Sequence, residues 1–97
     1  MTQHHSFHLD QAGHSITADV SVGHTAEVDL LVDGKEVGYR HERGGAAITL
    51  SSELPGDPPY PFTVRIAHPR HRARGLACTL LMDGREIPMP EGGLAVR

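Results

Sequence analysis

The chain is poor in residue types that define several common protein classes, with one cysteine, four aromatic residues and no tryptophan. A single cysteine excludes an internal disulfide framework. The scarcity of aromatics disfavours a surface that stacks nucleic-acid bases, and a formal net charge of −3 excludes a generally basic nucleic-acid-binding protein. No apolar run approaches the roughly 18 residues of a membrane-spanning helix, and residues 1–15 lack the pattern of a signal peptide. We therefore expect a cytoplasmic protein without membrane contact.

The residues that are present predict a single all-β domain. The 97 residues suffice for one hydrophobic core and are too few for two, so we expect one domain over residues 1–97, with residues 1–5 frayed. Helical spacing of apolar residues is absent, whereas apolar and polar residues alternate along most of the chain. The alternation predicts an antiparallel β-sandwich of six to eight short strands, with a flattened small barrel as the alternative.

Two Asp-Gly dipeptides, Asp33-Gly34 and Asp83-Gly84, are the strongest local signals in the sequence. Asp-Gly favours a two-residue hairpin turn, because both positions of that turn need positive φ. The residues around the two turns match at a fixed offset of 50 positions. These hairpins belong to a predicted pseudo-repeat over roughly residues 16–40 and 66–90. Duplication and common hairpin chemistry are alternative explanations of the match.

Regular pairing around each turn predicts which side chains face the core. In the first hairpin it opposes Glu27 to Arg40 and turns Val37 and Tyr39 inward. In the second hairpin, the prolines within residues 85–90 lie at positions where a backbone N–H would not donate a hydrogen bond to the other strand of the hairpin. A further strand on their outer side would lack donors, so we expect this segment to form a sheet edge.

The outer faces of the two hairpins carry matched leucines, Leu31 and Leu81. Single exposed leucines are ordinary, but two at equivalent positions indicate places where a second layer or another subunit packs. We therefore expect a protein partner or self-association.

Residues 65–74 form the one concentrated basic stretch, which we call the arginine-rich segment. It contains no acidic residue, and its candidate binding residues are Arg65, His68, Arg70, His71, Arg72 and Arg74. Guanidinium groups hold carboxylates and phosphates through forked hydrogen bonds. The segment thus predicts binding of an acidic protein or small anion; the alternatives are a solvated loop and, less favoured, nucleic acid.

The amino terminus suggests a second chemistry. Removal of Met1 would leave Thr2-Gln3-His4, whose amine, two amides and imidazole form a square-planar site suited to Cu(II) or Ni(II), with His5 and His8 as outer ligands. The alternative is a frayed, histidine-rich terminus that binds no metal.

Other candidate sites are weaker. No catalytic motif is present, so we do not expect an enzyme, and Cys78 is expected to be a buried, inert thiol. The proline-rich residues 53–61 favour a rigid connection over a recognition motif. The chain has more arginine than lysine, which is typical of proteins from GC-rich bacterial genomes, so we expect a bacterial origin. The sequence therefore predicts a non-catalytic binding or assembly module without a cofactor; a copper or nickel carrier or sensor is the alternative.

Overall fold

The computed structural model describes residues 3–43, 47–67 and 76–92, which form eight antiparallel strands in two four-stranded meanders. The first sheet contains β1 (Gln3–Gln11), β2 (His14–Val22), β3 (Thr25–Val32) and β4 (Lys35–Arg43). The second contains β5 (Ile48–Leu54), β6 (Tyr60–Ala67), β7 (Ala77–Met82) and β8 (Arg85–Pro88). The sheets are not closed into a barrel, so the predicted sandwich is confirmed. In these ranges no helix is long and apolar enough to cross a membrane.

The core lies between the sheets and is built from every second residue of the strands. Its largest fully buried side chains are Phe7, Ile16, Leu30, Leu54, Leu80, Val20, Val28 and Val64. Burial of such side chains is the main favourable contribution to folding. Cys78 belongs to this core, with its Sγ 3.7 Å from Met89 Sδ, and burial raises the pKa of its thiol to about 12. The expected inert thiol is therefore in an environment that disfavours the reactive thiolate.

Residues 3–5, predicted to be frayed, belong to β1 instead. Gln3, His4 and His5 pair with residues 20–22 of β2. The backbone hydrogen bonds of this ladder hold the segment in the sheet.

A bulge in β4 changes the predicted register of the first hairpin. The turn is paired as predicted, but Leu30 opposes Gly38 in place of Val37. One additional residue therefore shifts all later pairs, and Tyr39 lies on the outer face. The prediction that Val37 and Tyr39 face the core is wrong: they are 39% and 49% exposed.

The bulge also places Arg40 on the inner side of β4, at the margin of the sandwich. Its guanidinium forms an ion pair with Glu42 and donates a hydrogen bond to the Thr49 carbonyl of β5 at 3.3 Å. The predicted Glu27–Arg40 pair is wrong, because Glu27 opposes His41. Arg40 thus covers part of the free edge of β5.

The absence of a side chain at Gly38 explains why this residue occupies the inner position. A Cβ at Gly38 would lie 3.2 Å from Leu50 Cδ2. Leu50 is buried, so the two sheets approach each other closely at this point. A β-branched Val37 in the same position would compete with Leu50 for space.

The second hairpin has the predicted register, with Pro88 opposite Thr79 and β8 at the edge of its sheet. Residues 89–92, which we call the closing segment, then run along the free edge of β1. The His8 N–H donates to the Pro90 carbonyl at 3.1 Å, and the Gly92 N–H donates to the Ser6 carbonyl at 2.7 Å. Pro90 contributes only an acceptor, so its missing N–H costs no hydrogen bond.

Both Asp-Gly turns have the predicted left-handed backbone, with φ of 52° at Asp33 and 53° at Asp83. Asp33 also accepts the Ser15 N–H at 2.9 Å and lies 2.6 Å from His14 Nδ1. These two hydrogen bonds lower the pKa of Asp33. Tyr60 OH donates to Asp83 at 2.6 Å, which raises the pKa of Tyr60. Each aspartate therefore ties its turn to a neighbouring strand or loop.

The offset of 50 positions aligns the two hairpins but not the strands that precede them. Ile16 opposes Val32 in the first sheet, whereas Ile66 opposes Cys78 in the second. Duplication as the origin of the two halves stays a prediction.

We expect Gly38→Val to destabilise the protein by about 1–3 kcal/mol, because overpacking displaces Leu50. Urea unfolding measures this loss. Combining it with Leu50→Val, which removes the contacted methyl, should cost less than the sum of the two single changes. Additive losses would contradict the proposed contact.

We expect Asp33→Asn to reduce the acid sensitivity of the fold. The folded-state pKa of Asp33 lies below its unfolded value of about 3.9, so the carboxylate stabilises the fold above that value. This contribution disappears as the pH falls through the folded pKa. Urea unfolding at pH 7 and near pH 3 should therefore differ less in Asp33→Asn than in the matched turn variant Asp83→Asn. An equal difference in the two variants would contradict this role.

Candidate functional site

The arginine-rich segment is described only at its start, where Arg65 lies in β6. The other predicted binding residues lie outside the described residues: His68, Arg70, His71, Arg72 and Arg74. Arg65 alternates with the buried Val64 and Ile66, so its side chain projects from the outer face of the second sheet. The segment joins β6 to β7, and both of its flanking strands therefore belong to that sheet.

The surroundings of Arg65 are polar. It lies between Thr49 and Thr79 on the neighbouring strands, and its side chain is 39% exposed. Among the described residues its one ion-pair contact is long, 3.7 Å from Nη2 to Glu86 Oε1. An exposed pair at that distance contributes little to stability. The guanidinium can thus turn to an incoming anion. The threonine hydroxyl on each side of it is a further hydrogen-bond donor.

A shallow depression of about 840 Å³ lies on the same outer face, over the end of the second hairpin. Leu81 and Glu86 line it, together with Thr63, whose Oγ1 lies 2.7 Å from Ser51 Oγ. The predicted outward position of Leu81 opposite Glu86 is confirmed. The depression is open to solvent and chemically mixed, so it extends the polar surface around Arg65.

The structure does not bring the three candidate metal-binding histidines together. His4 and His8 project from the outer face of β1, whereas His5 projects from the inner side and lies 2.7 Å from the Glu91 carboxylate. Four residues of strand separate the Cα atoms of His4 and His8 by about 13 Å. Within the described part of the chain, no three His, Cys, Asp or Glu side chains are grouped to hold a metal ion.

The predicted copper or nickel site would use Thr2, Gln3 and His4, and Thr2 lies outside the described residues. The Nδ1 atom of His4, which forms the chelate ring in such a site, lies 2.9 Å from Ser21 Oγ. A metal ion would have to replace that hydrogen bond. Copper or nickel binding at His4 stays a prediction.

The outer face of the first sheet carries a group of carboxylates that the sequence analysis did not single out. Asp19 of β2 directly opposes Asp29 of β3, and Glu27 lies one outward position along β3. In residues 3–43, 47–67 and 76–92, none of the three forms an ion pair. Like charges directly opposite each other destabilise a sheet. The fold therefore holds these carboxylates together at a cost.

Tyr39 stands beside these carboxylates, opposite Asp29. Partial desolvation and the negative charge of Glu27 raise the pKa of its hydroxyl, with smaller contributions from Asp29 and Glu36. Leu31 opposes Glu36 and is half-buried on the same face, as predicted. The part of this outer surface formed by Asp19, Glu27, Asp29, Leu31, Glu36 and Tyr39 is called the acidic face below. His41 and Arg43 of β4 project from the same side of the sheet.

The sequence pattern did not reveal the acidic face, for two reasons of register. If Gly23-His24 formed a two-residue turn, Val22 would pair with Thr25. In the structure, Val22 pairs with Ala26 instead. This change brings the two aspartates opposite each other. The bulge in β4 then turns Tyr39 outward, against the regular pairing. The available signals were Asp19 in β2 and the alternating Glu27 and Asp29 in β3, but they did not specify the pairing of the two strands.

Comparison of the chain with protein-family models, curated proteins and solved structures finds no match. The functional argument therefore comes from the residues and their geometry.

We expect Asp29→Asn to stabilise the fold, because it removes one of two opposed like charges. The expected gain of about 0.2–1 kcal/mol corresponds to a rise in Tm of about 1–6 °C. Thermal unfolding at low salt measures it, and added salt should reduce the gain. The control Glu53→Gln removes the same charge from β5, opposite Pro61, and should leave Tm nearly unchanged. An Asp29→Asn variant less stable than the control would contradict the repulsion.

Proposed function

We propose that this protein is a non-catalytic binding or assembly module that recognises an acidic protein or other anionic ligand through its arginine-rich segment. The position of Arg65 is the observation that carries this proposal. Its guanidinium projects from the second sheet between two threonines and has one weak carboxylate contact among the described residues. The strand holds Arg65 at a fixed place at the start of the segment.

The composition of the segment supports the same function. Residues 65–74 contain four arginines, two histidines and no acidic residue. Guanidinium groups form forked, charge-assisted hydrogen bonds with carboxylates and phosphates, which are stronger than bonds between neutral groups. Several such groups within the ten residues of sequence that begin at Arg65 favour an anionic partner.

The absence of a catalytic motif in the sequence supports a binding role over an enzymatic one. Ser21 and His4 are hydrogen-bonded, as in a nucleophile–base pair, and they line a depression of about 720 Å³ that is open to solvent. A nucleophilic site also needs a group that orients the histidine and donors for the developing oxyanion. The described hydrogen bonds of His4 include no such orienting carboxylate.

We expect the triple variant Arg70→Ala, Arg72→Ala, Arg74→Ala to bind an oligoglutamate peptide about tenfold more weakly, equivalent to 1.4 kcal/mol. Fluorescence anisotropy of a labelled peptide at low salt measures the affinity, and Tm should stay unchanged. The control is a second triple variant, Lys35→Ala, Arg43→Ala, Arg85→Ala. It also removes three positive charges, two beside the hairpin turns and one at the end of β4. Unchanged affinity in the first variant, or an equal loss in both, would remove the proposed function.

A further inference from the structure

We infer that residues 90–92 of the closing segment leave the edge of β1, and that the uncovered edge pairs with β1 of a second copy of this chain. This inference is independent of the proposed function, because it uses no residue of the arginine-rich segment. It follows from the few contacts that hold the closing segment and from the self-complementary pattern of β1.

The closing segment is attached to β1 over a short stretch. Glu91 forms an isolated bridge with Phe7, and two backbone hydrogen bonds flank it, donated by the N–H groups of His8 and Gly92. Within the described ranges, the one ion pair of the segment joins Glu91, whose side chain is 47% exposed, to His5. Exposed ion pairs contribute little to stability. Since β1 has nine residues, residues 89–92 cover only the middle of its edge.

Met89 marks the point at which release of the segment stops. Its side chain is buried, and its N–H donates to the Cys78 carbonyl at 2.9 Å. Pro90 follows directly and has no N–H to donate to β1. Residues 90–92 can therefore leave β1 while Met89 stays in the core. Local openings of this kind require much less free energy than global unfolding.

Release uncovers a row of backbone groups on β1. The His8 N–H and the Ser6 carbonyl point to the closing segment. By strand alternation, both backbone groups of each even-numbered residue of β1 point to the same edge. The Ser6 N–H and the His8 carbonyl form no backbone hydrogen bond with any residue that the structure describes. Such a row is a template for pairing with another strand.

The strand β1 matches an antiparallel copy of itself. Phe7 is its middle residue, so a two-fold axis at Phe7 pairs all nine residues. Ser6 then lies opposite His8 of the second copy, and His4 lies opposite Asp10. Each of these pairs exchanges two hydrogen bonds through groups that point to the edge, and the axis makes each pair occur twice. The dimer thus gains more backbone hydrogen bonds than two released closing segments lose.

Side chains on the outer face favour the same register. The Asp10 side chain is 81% exposed, so its carboxylate can reach the exposed His4 of a second copy. The His4 Nδ1 lies 2.9 Å from Ser21 Oγ, which leaves Nε2 for that carboxylate. An axis at Ser6 or at His8 would shorten the overlap and place two histidines opposite each other. The axis at Phe7 combines the longest overlap with a favourable cross-strand pair.

Two substitutions of Gly92 test the release. Gly92→Pro removes the N–H that donates to Ser6, whereas Gly92→Ala retains it and adds a Cβ with no contact closer than 3.8 Å. By sedimentation velocity, we expect Gly92→Pro to dimerise with a dissociation constant about tenfold lower than that of Gly92→Ala, because one hydrogen bond per copy no longer opposes release. A Gly92→Pro protein that associates no more strongly than Gly92→Ala would overturn the inference.

A second pair of variants identifies the surface that associates. Ser6→Pro in the Gly92→Pro background removes a donor that self-pairing needs, and an edge strand tolerates proline where the N–H points outward. We expect this double variant to be monomeric. The control Ser6→Ala in the same background loses the hydroxyl bonded to Asp19 but keeps the N–H, and should still dimerise. Dimers that persist with Ser6→Pro, or species larger than dimers, would contradict pairing through β1.

Hydrogen exchange of the wild-type protein tests the release without any substitution. The His8 amide is bonded to the closing segment, whereas the Leu9 amide points to β2. At low protein concentration, we expect protection of the His8 amide to be at least about tenfold lower than that of Leu9, because it opens locally. Protection of His8 should rise with protein concentration as the edges pair. Equal protection of the two amides would show that residues 90–92 leave only on unfolding of β1, and the inference would fail.

Discussion

The contact between Leu50 and the backbone of Gly38 sets the orientation of β4, and much of the surface chemistry follows from it. The sheets approach so closely there that a Cβ would lie 3.2 Å from a leucine methyl. A glycine fits that inner position without displacing Leu50, and the strand places it there by bulging at Val37. The same shift sends Tyr39 outward and Arg40 inward. One packing constraint thus determines both an exposed aromatic ring and a protected strand edge.

Sheet edges in this molecule are covered by several different means. The closing segment pairs with β1, prolines interrupt the donors of β8, and Arg40 occupies a carbonyl of β5. Native proteins use such devices to prevent pairing with other chains. Backbone pairing with other chains is therefore restricted at these edges.

The sequence predicted the class of fold, because alternation of apolar residues and Asp-Gly turns act locally. The register of the second hairpin was also predictable, since its turn and its prolines impose compatible constraints. The register of β4 was not, because the decisive neighbour, Leu50, belongs to the other sheet. Arg65 was recognisable from its arginine-rich surroundings. The acidic face was not, because only the pairing of β2 with β3 places Asp19 opposite Asp29.

The closing segment has a consequence for how the protein forms during synthesis. It pairs residues 89–92 with β1, whose first described residue is Gln3. This is the most non-local pairing of the described strands, and contacts of high sequence separation form late. On the ribosome, β1 and β2 can form a hairpin early, but the free edge of β1 stays uncovered until residue 92 has emerged. The nascent chain is therefore most exposed to strand exchange at β1.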